Sequence, residues 1–295
     1  MDLRLLTDWL DRQGWLESTA NVLQPAVKGF FDRLGPARRG VKNFLHGTWL
    51  DHPLHPVMTD LPLGAWTVTL LLDAMDSLDG GRGRSGMARA ADASVALGLV
   101  GAAGSAVTGL TDWSETDARP RRLGVAHAVL NTGATLLFAG SLLSRKSGRR
   151  ASGRSLALAG YAAMIAAAWL GGDLVYHEQI GVDHSSGREL PDTFTPVLAD
   201  ADLPEGEPRR AMYKETPLLL VRDGSRVYCL AETCAHLGGP LSEGKLEEGT
   251  IVCPWHASRF DLATGEAVDG PTAFPQPCLE TRMRKGQIEV RLSRS

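Results

Sequence analysis

Two short stretches near the carboxyl end, Cys234-Ala235-His236 and Cys253-Pro254-Trp255-His256, carry the strongest chemical signal in the sequence. Each offers one thiol and one imidazole, and 16 residues lie between them. Thiolate sulfur and imidazole nitrogen bind zinc, and they also bind a two-iron cluster in which one iron takes two sulfurs and the other takes two nitrogens. The ligand types alone leave both kinds of metal site open.

The sequence around these stretches is typical of an all-β domain. Short runs of β-favouring residues are separated by glycine-containing turns such as Asp223-Gly224 and Lys285-Gly286. The runs cover residues 218–221, 227–230, 250–253 and 288–291. We therefore predict an all-β domain over residues 195–295, with each cysteine–histidine pair on a hairpin loop so that the two loops clamp one site.

This region resembles a Rieske [2Fe–2S] ferredoxin domain, and the flanks of the two pairs carry the resemblance. The matching text is Cys234-Ala235-His236-Leu237-Gly238-Gly239-Pro240-Leu241, Cys253-Pro254-Trp255-His256, Phe260-Asp261, Thr264-Gly265-Glu266 and Gly270-Pro271. The resemblance favours a cluster over zinc and implies ligation by Cys234, His236, Cys253 and His256. It also implies that Ser258 and the loop at Pro271 lie beside the cluster.

Departures from the family pattern bear on the reduction potential. Gly239 and Trp255 stand where some Rieske subunits carry a disulfide, and Phe260 stands where they carry a hydrogen-bonding tyrosine, whereas Ser258 is retained. Fewer donors to sulfur stabilise the reduced cluster less. The resemblance therefore implies a comparatively low potential, in the part of the Rieske range that begins at about −150 mV. The remaining cysteines, Cys229 and Cys278, are interpreted as packing thiols, although a disulfide between them is open.

The amino-terminal half contains three long stretches without a charged side chain. They hold 19 residues between Asp92 and Asp112, 22 between Arg122 and Arg145, and 18 between Arg154 and Asp173. A helix of roughly 20 apolar residues crosses a bilayer. Residues 56–78 predict one more crossing with Asp60, Asp73 and Asp76 near its ends. The alternative is a buried bundle in a water-soluble domain.

The predicted fold is thus multi-domain: an all-α four-helix transmembrane bundle followed by an all-β Rieske-type domain. We expect amphipathic interfacial helices over residues 1–50, the bundle over 51–180, a linker over 181–194 and the Rieske domain over 195–295. Residues of about 50–180 also resemble an uncharacterised family of bacterial four-helix membrane proteins, through His52-Pro53-Leu54-His55-Pro56 and Asp60-Leu61-Pro62. That resemblance implies no established chemistry.

Four crossings of the cell membrane place both termini on the same side. The loop over residues 145–154 has five basic residues and no acid, which favours a cytoplasmic loop and external termini. Against this, Arg38, Arg39 and Lys42 precede the first crossing, and a cluster loop without a disulfide suits a reducing compartment. The sequence therefore leaves the side open.

Three histidines, His55, His127 and His177, fall near the same end of the predicted bundle. Ionisable side chains at membrane depth are costly and commonly face an internal site. One hypothesis is a second cofactor site for haem b or a quinone. The other is that these imidazoles hydrogen-bond to head groups and neighbouring helices.

The function predicted from these features is membrane-anchored, one-electron transfer with the histidine edge of the cluster as the electron port. A quinone- or haem-linked membrane oxidoreductase and a redox sensor are the alternatives. An oxygenase is disfavoured, because the β domain of about 100 residues has no histidine left for a second iron. Expected partners are a redox protein or membrane quinone, and membrane lipid, with an oligomer left open. A net charge of −3 argues against nucleic acid.

Overall fold

The protein, described by a computed structural model over residues 4–78 and 86–293, divides into two compact units. The first unit comprises Met1–Gly35 and Leu54–Ile180, and the second comprises Pro36–Pro53 and Gly181–Ser295. This division differs from the sequence-based one at residues 36–50 and 181–194, both of which fall in the second unit. The reason is visible for the latter segment, where the His184 N–H donates to Ala235 O and Leu190 packs in a core of the β unit.

Seven α-helices are present in the described part of the chain. They are α1 (Arg4–Asp11), α2 (Gly14–Asp32), α3 (Arg38–His46), α4 (Leu54–Leu78), α5 (Gly86–Trp113), α6 (Ala118–Lys146) and α7 (Arg150–Tyr176). All except α3 belong to the first unit. Helix α4 packs against α5 and α7, and α6 packs against α5 and α7, so the four long helices form one bundle.

Among the described residues, three helices are long and apolar enough to cross a membrane, namely α5, α6 and α7. Only 22% to 28% of their most apolar windows is buried inside the protein. Most residues of these windows are therefore at least partly exposed, as expected for helices in lipid. Helix α4 forms where a fourth crossing was predicted, but it is not among the three.

At one end of the bundle, aspartates and arginines form ion pairs between the helices. The Arg145 side chain is 0% exposed and donates from Nη1 to Asp73 Oδ1 at 2.8 Å. Asp92 accepts from Arg145 and Arg150, and Asp76 pairs with Arg154. Two of the acids that interrupt the apolar sequence of α4 are thus paired with arginines of α6 and α7.

The first two helices cap the other end of α6. Arg119 pairs with Asp8 at 2.8 Å, Arg122 pairs with Asp11 at 2.8 Å, and Arg121 pairs with Glu17. Leu16, Ala20 and Phe31 face inward. The outward side carries polar residues such as Asn21 and Lys28 and also seven large apolar ones, namely Leu5, Leu6, Trp9, Trp15, Val22, Leu23 and Phe30.

The second unit is built on two antiparallel sheets, as the all-β prediction for this half required. Its strands are β1 (Thr195–Ala199), β2 (Arg209–Tyr213), β3 (Thr216–Asp223), β4 (Arg226–Ala231), β5 (Lys245–Glu247), β6 (Thr250–Val252), β7 (Arg259–Asp261), β8 (Ala267–Asp269), β9 (Cys278–Arg284) and β10 (Gln287–Leu292). The larger sheet has the order β1-β10-β9-β4-β3-β2 and the smaller one β5-β6-β7-β8. A core containing Leu219, Leu230, Ile251 and Phe260 joins residues of both sheets.

The two remaining cysteines lie on opposite faces of the larger sheet. Cys229 is opposite Leu279 and Cys278 is opposite Leu230, so the cysteines are one register position apart. Because side chains alternate between faces along a strand, such a pair points to opposite sides. Cys229 packs in the core with Leu279, Cys278 packs against the core with Leu230, and both are free thiols.

Candidate iron–sulfur site

The two cysteine–histidine pairs lie on loops with the same backbone hydrogen bonds. In the first loop, Cys234 N–H donates to Gly239 O at 2.8 Å and Gly238 N–H donates to Cys234 O at 2.9 Å. In the second, Cys253 N–H donates to Ser258 O at 2.8 Å and Ala257 N–H donates to Cys253 O at 3.1 Å. Each cysteine thus begins an equivalent turn.

The two loops differ in the strands that they connect. The second connects β6 to β7 and is a hairpin loop, as expected. The first connects β4 of the larger sheet to β5 of the smaller one, and an antiparallel bridge between Thr233 and Pro240 closes its base. The site therefore lies where the chain passes from one sheet to the other, beside the core that joins them.

The two thiols meet below the surface. Cys234 and Cys253 are buried, and their side chains are hydrogen-bonded to each other. The bond from Cys234 lowers the pKa of Cys253 to about 7, assisted by the backbone N–H groups of Trp255 and His256. The same bond, followed by burial, raises the pKa of Cys234. The pairing therefore favours the thiolate of Cys253, the form in which a cysteine binds metals.

The two imidazoles meet nearer the surface. The ring centroids of His236 and His256 are 5.0 Å apart with the rings nearly perpendicular, and both side chains are half-buried. Trp255, which precedes His256, is 57% exposed. Its ring lies so close to Gly239 that a Cβ there would be 3.1 Å from the indole and 2.9 Å from Cys253 Sγ.

A segment after β8 ties both loops together. The Thr272 N–H donates to Ser258 Oγ at 3.3 Å, which fixes the segment to the second loop. Gln276 accepts from Ala235 N–H at 3.1 Å and donates to Ala231 O and Thr233 O at 2.7 and 2.6 Å, which fixes it to the first. We call residues 270–276 the cover segment. Pro271 is half-buried at its start, and Ser258 is fully buried.

This donor set fits a two-iron cluster. The four side chains form a pair of thiols and a pair of imidazoles. Two sulfurs for one iron and two nitrogens for the other is the division that a His₂Cys₂ cluster requires.

Comparison with known proteins agrees with this geometry. Residues 193–280 match the family model of the Rieske [2Fe–2S] domain, and residues 51–184 match that of a predicted membrane protein family, DUF2231. Ferredoxin CarAc of Metapseudomonas resinovorans is 33% identical over 95 residues, which cover 32% of this chain and 89% of that protein. The chain belongs to the Rieske [2Fe–2S] family.

Other relatives share the Rieske domain. The 3-phenylpropionate/cinnamic acid dioxygenase ferredoxin subunit of Escherichia coli (strain K12) is 35% identical over 94 residues, covering 31% of this chain and 87% of that protein. Human apoptosis-inducing factor 3 is 32% identical over 93 residues, and the chain spans only 15% of its length. Among solved structures, the ferredoxin of carbazole 1,9a-dioxygenase from Nocardioides aromaticivorans IC177 aligns with 28% identity and a TM-score of 0.33, over 35% of this chain and 100% of that one.

The structure brings together two of the three histidines that were singled out in the helical unit. The ring centroids of His55 and His127 are 6.5 Å apart, whereas His177 pairs with Asp173 at 2.9 Å on its own helix. His127 Nδ1 lies 2.9 Å from Ala167 O, and its Nε2 lies 3.0 Å from Asn131 Nδ2. Both ring nitrogens of His127 therefore have hydrogen-bond partners within the bundle.

Sequence reasoning missed the residues that fix the cover segment of the Rieske domain. Gln276 joins it to the first loop from a distance of more than 40 residues in the chain, and Asn43 contacts its first residue from α3. Neither residue is part of a spaced motif. A polar side chain such as Gln276 between Pro275 and Pro277 gives no local indication of what it will contact.

Proposed function

We propose that the protein is a membrane-anchored one-electron carrier, with a [2Fe–2S] cluster held by Cys234 and Cys253 on one iron and by His236 and His256 on the other. The observation that carries this proposal is the pair of buried, hydrogen-bonded thiols together with two half-buried imidazoles 5.0 Å apart. When bound, the cluster supplies a one-electron redox centre. Ferredoxins that share the Rieske domain support the same role.

The site has a buried side, formed by the two cysteines, and a more accessible side, formed by the two histidines. The cysteine side lies against the core that contains Phe260 and Ile251, which excludes water. The histidine side is half-buried, so electrons exchange with a partner through the imidazole edge. The neighbouring Trp255 offers a redox partner protein an apolar contact. The dioxygenase ferredoxin subunit among the relatives makes an oxidoreductase the proposed kind of partner.

Reductive titration of the full chain tests this role. The purified protein should take up one electron per chain and develop the EPR signal of a reduced cluster with mixed sulfur and nitrogen ligation. Uptake of two electrons at one potential, or a reduced signal typical of four sulfur ligands, would exclude the proposed carrier.

We also propose that the midpoint potential lies in the lower part of the Rieske range, which begins at about −150 mV. Phe260 is fully buried in the same core as Cys234 and Cys253, and it brings no hydroxyl to the sulfurs. The hydroxyl of Ser258 does hydrogen-bond Cys234. A midpoint above about +200 mV, near the upper end of that range, would contradict the proposal.

The substitution Ser258→Ala should lower the midpoint potential. Reduction adds negative charge to the sulfurs, so a hydroxyl donor stabilises the reduced state more than the oxidised one. A difference of about 1 kcal/mol corresponds to roughly 40 mV for one electron. Dye-mediated titration measures the shift, and Ser186→Ala, which removes an exposed hydroxyl bonded to Asp183 O, is the control. Ser258 Oγ also accepts from Thr272 N–H, so hydrogen exchange of residues 270–272 is measured alongside. An unchanged or raised midpoint in Ser258→Ala, with that exchange unchanged, would show that the hydroxyl does not act on the sulfur.

For the membrane, we propose four crossings of the cell membrane, with α4 as the first and both termini on one side. Asp73 and Asp76 are paired with arginines inside the bundle. These two acids therefore do not have to face lipid, which was the main argument against α4 as a membrane crossing. Its outward residues Leu61, Leu71 and Met75 are apolar. Helices α1 and α2, with the large apolar residues of their outer side, are proposed to lie in the membrane interface.

Reporter fusions distinguish four crossings from three. With four, reporters fused at the amino terminus and the carboxyl terminus give the same result, and a reporter inserted at Gly148, between α6 and α7, gives the opposite one. With three, the two termini differ. The same experiment shows which side the Rieske domain faces.

A second candidate function is exchange of electrons with a membrane quinone near His55. The Nδ1 atom of His55 lies 3.0 Å from Ser105 O, which places the proton on Nδ1 and a lone pair on Nε2. Such a nitrogen accepts a hydrogen bond from a quinol hydroxyl. If this function holds, a soluble quinone oxidises the reduced cluster of the wild-type chain, taking one electron from each of two chains. The reaction is far slower in His55→Leu, and the absorption spectrum has no Soret band.

A further inference from the structure

Helix α3, which precedes the membrane domain in the sequence, lies against the start of the cover segment. Asn43 donates from Nδ2 to Val268 O at 3.1 Å and to Asp269 Oδ1 at 3.0 Å. Its Oδ1 accepts the Gly270 N–H at 3.0 Å. One amide side chain therefore satisfies three groups of consecutive residues, in the way that a neighbouring strand would.

Two further side chains of α3 complete this contact. Arg39 Nε donates to Asp269 Oδ1 at 2.5 Å. His46 is buried, and a Cβ on Gly270 would lie 2.8 Å from its ring, so only glycine lets the two come so close. All of these residues belong to the second unit. The contact is thus part of the Rieske unit, although the matched family region begins only at residue 193.

The contact occurs at the one end of the cover segment that the cluster loops do not hold. Thr272 binds Ser258 of the second loop. Gln276 binds two backbone groups of the first loop, at Thr233 and Ala235, and the carbonyl of Ala231 at the end of β4. Gly270, which precedes them, is held by Asn43. Without Asn43, the Gly270 N–H would lose its acceptor. The segment would then be held by β8, where Asp269 pairs with Arg259 of β7, and again from Thr272 onward, but not at Gly270.

We infer that α3 acts as a clamp on the cover segment and that Asn43 is a positioning residue for the cluster. By holding Gly270, it keeps the cover segment closed over the site and limits the access of water and oxygen. This inference rests on the proposed cluster site. Because reduction adds negative charge, which water stabilises, a looser cover raises the midpoint potential and shortens the lifetime of the cluster in air.

The test compares Asn43→Leu, which keeps the number and branching of the side-chain heavy atoms and removes all three hydrogen bonds, with Val41→Ala on the same helix, where the side chain is 37% exposed. Hydrogen exchange of the full chain, made without iron, reports on residues 268–272. In Asn43→Leu we expect exchange there to rise about tenfold. In the loaded protein we expect the cluster to survive in air for at most one third of the wild-type time. At a fixed applied potential we expect the ratio of oxidised to reduced cluster to fall tenfold, which corresponds to a midpoint potential about 59 mV higher. Val41→Ala should match the wild type.

Unchanged exchange in Asn43→Leu overturns the clamp. Raised exchange with an unchanged potential and lifetime overturns the positioning role, since a merely structural contact would behave in that way. If Asn43→Leu does not fold, Arg39→Ala, which removes one exposed contact to Asp269, should give smaller changes in the same directions, and their absence counts against the inference. A wild-type chain that binds no cluster overturns the proposed function, whereas the exchange comparison still decides the clamp.

Discussion

Replacing Cys253 by serine is expected to abolish the EPR signal of the reduced protein and to reduce the iron content from about two atoms per chain to nearly none. The thiol is buried, hydrogen-bonded to Cys234 and contacted by two backbone N–H groups, so no other group can take its place. Histidine 236 should respond differently. In His236→Cys a cluster with three sulfur ligands is expected to keep iron but to change the shape of the signal.

The matched control is Cys278→Ser, which alters a free, half-buried thiol on β9 of the larger sheet. It should leave both the iron content and the EPR signal unchanged. Iron analysis and EPR of the purified full chain measure all three variants. A normal signal in Cys253→Ser, or an unaltered line shape in His236→Cys, would refute the ligand assignment.

The substitution Arg145→Met should destabilise the bundle by about 3 kcal/mol, since removing one partner of a buried ion pair costs about 3–5 kcal/mol. The lower end applies because Arg154 and Arg150 also lie 3.6 and 3.8 Å from Asp73. For a domain of this size the loss corresponds to roughly 10 °C in Tm. Thermal unfolding of the full chain in detergent, followed by helical circular dichroism, measures it.

Lys146→Met is the matched control, because the side chain next to Arg145 in the sequence is exposed. The double variant Arg145→Met with Asp73→Asn should recover part of the loss. It removes the carboxylate that has lost its nearest donor, while Arg150 and Arg154 keep Asp92 and Asp76 as partners. If Arg145→Met unfolds at the same temperature as Lys146→Met, the ion network does not stabilise the bundle.

The parts of this protein that sequence predicts well are those set by local pattern. The Cys–x–His and Cys–x–x–His spacings identify the site because each pair needs only one turn to present its ligands. The helices follow from long charge-free stretches for the same reason. The structure also supports the expectation that Cys229 and Cys278 pack rather than pair, because their register separates them across the sheet.

The parts that escaped sequence reasoning depend on contacts between distant residues. Asp73 and Asp76 weakened the prediction of α4, because their arginine partners lie more than 70 residues away. Residues 36–50 were expected to belong to amphipathic interfacial helices. Residues 181–194 were expected to be a linker because they contain Ser185-Ser186-Gly187 and Pro191. Only the positions of Val268, Asp269 and Ala235 explain why they join the β unit.

The division of the chain has a consequence for the order of folding. The Rieske unit is discontinuous, because Leu54–Ile180 is inserted between its two pieces. Asn43 and Gly270 are 227 residues apart in the sequence, so their contact closes a very long loop. Closing such a loop costs chain entropy before any stabilising contact has formed, so this contact forms slowly. On the ribosome α3 emerges long before its binding surface exists, and a segment beginning at residue 181 lacks this helix altogether. Docking of α3 is therefore expected to be a late step, completed only after the helical bundle and the β sheets have formed.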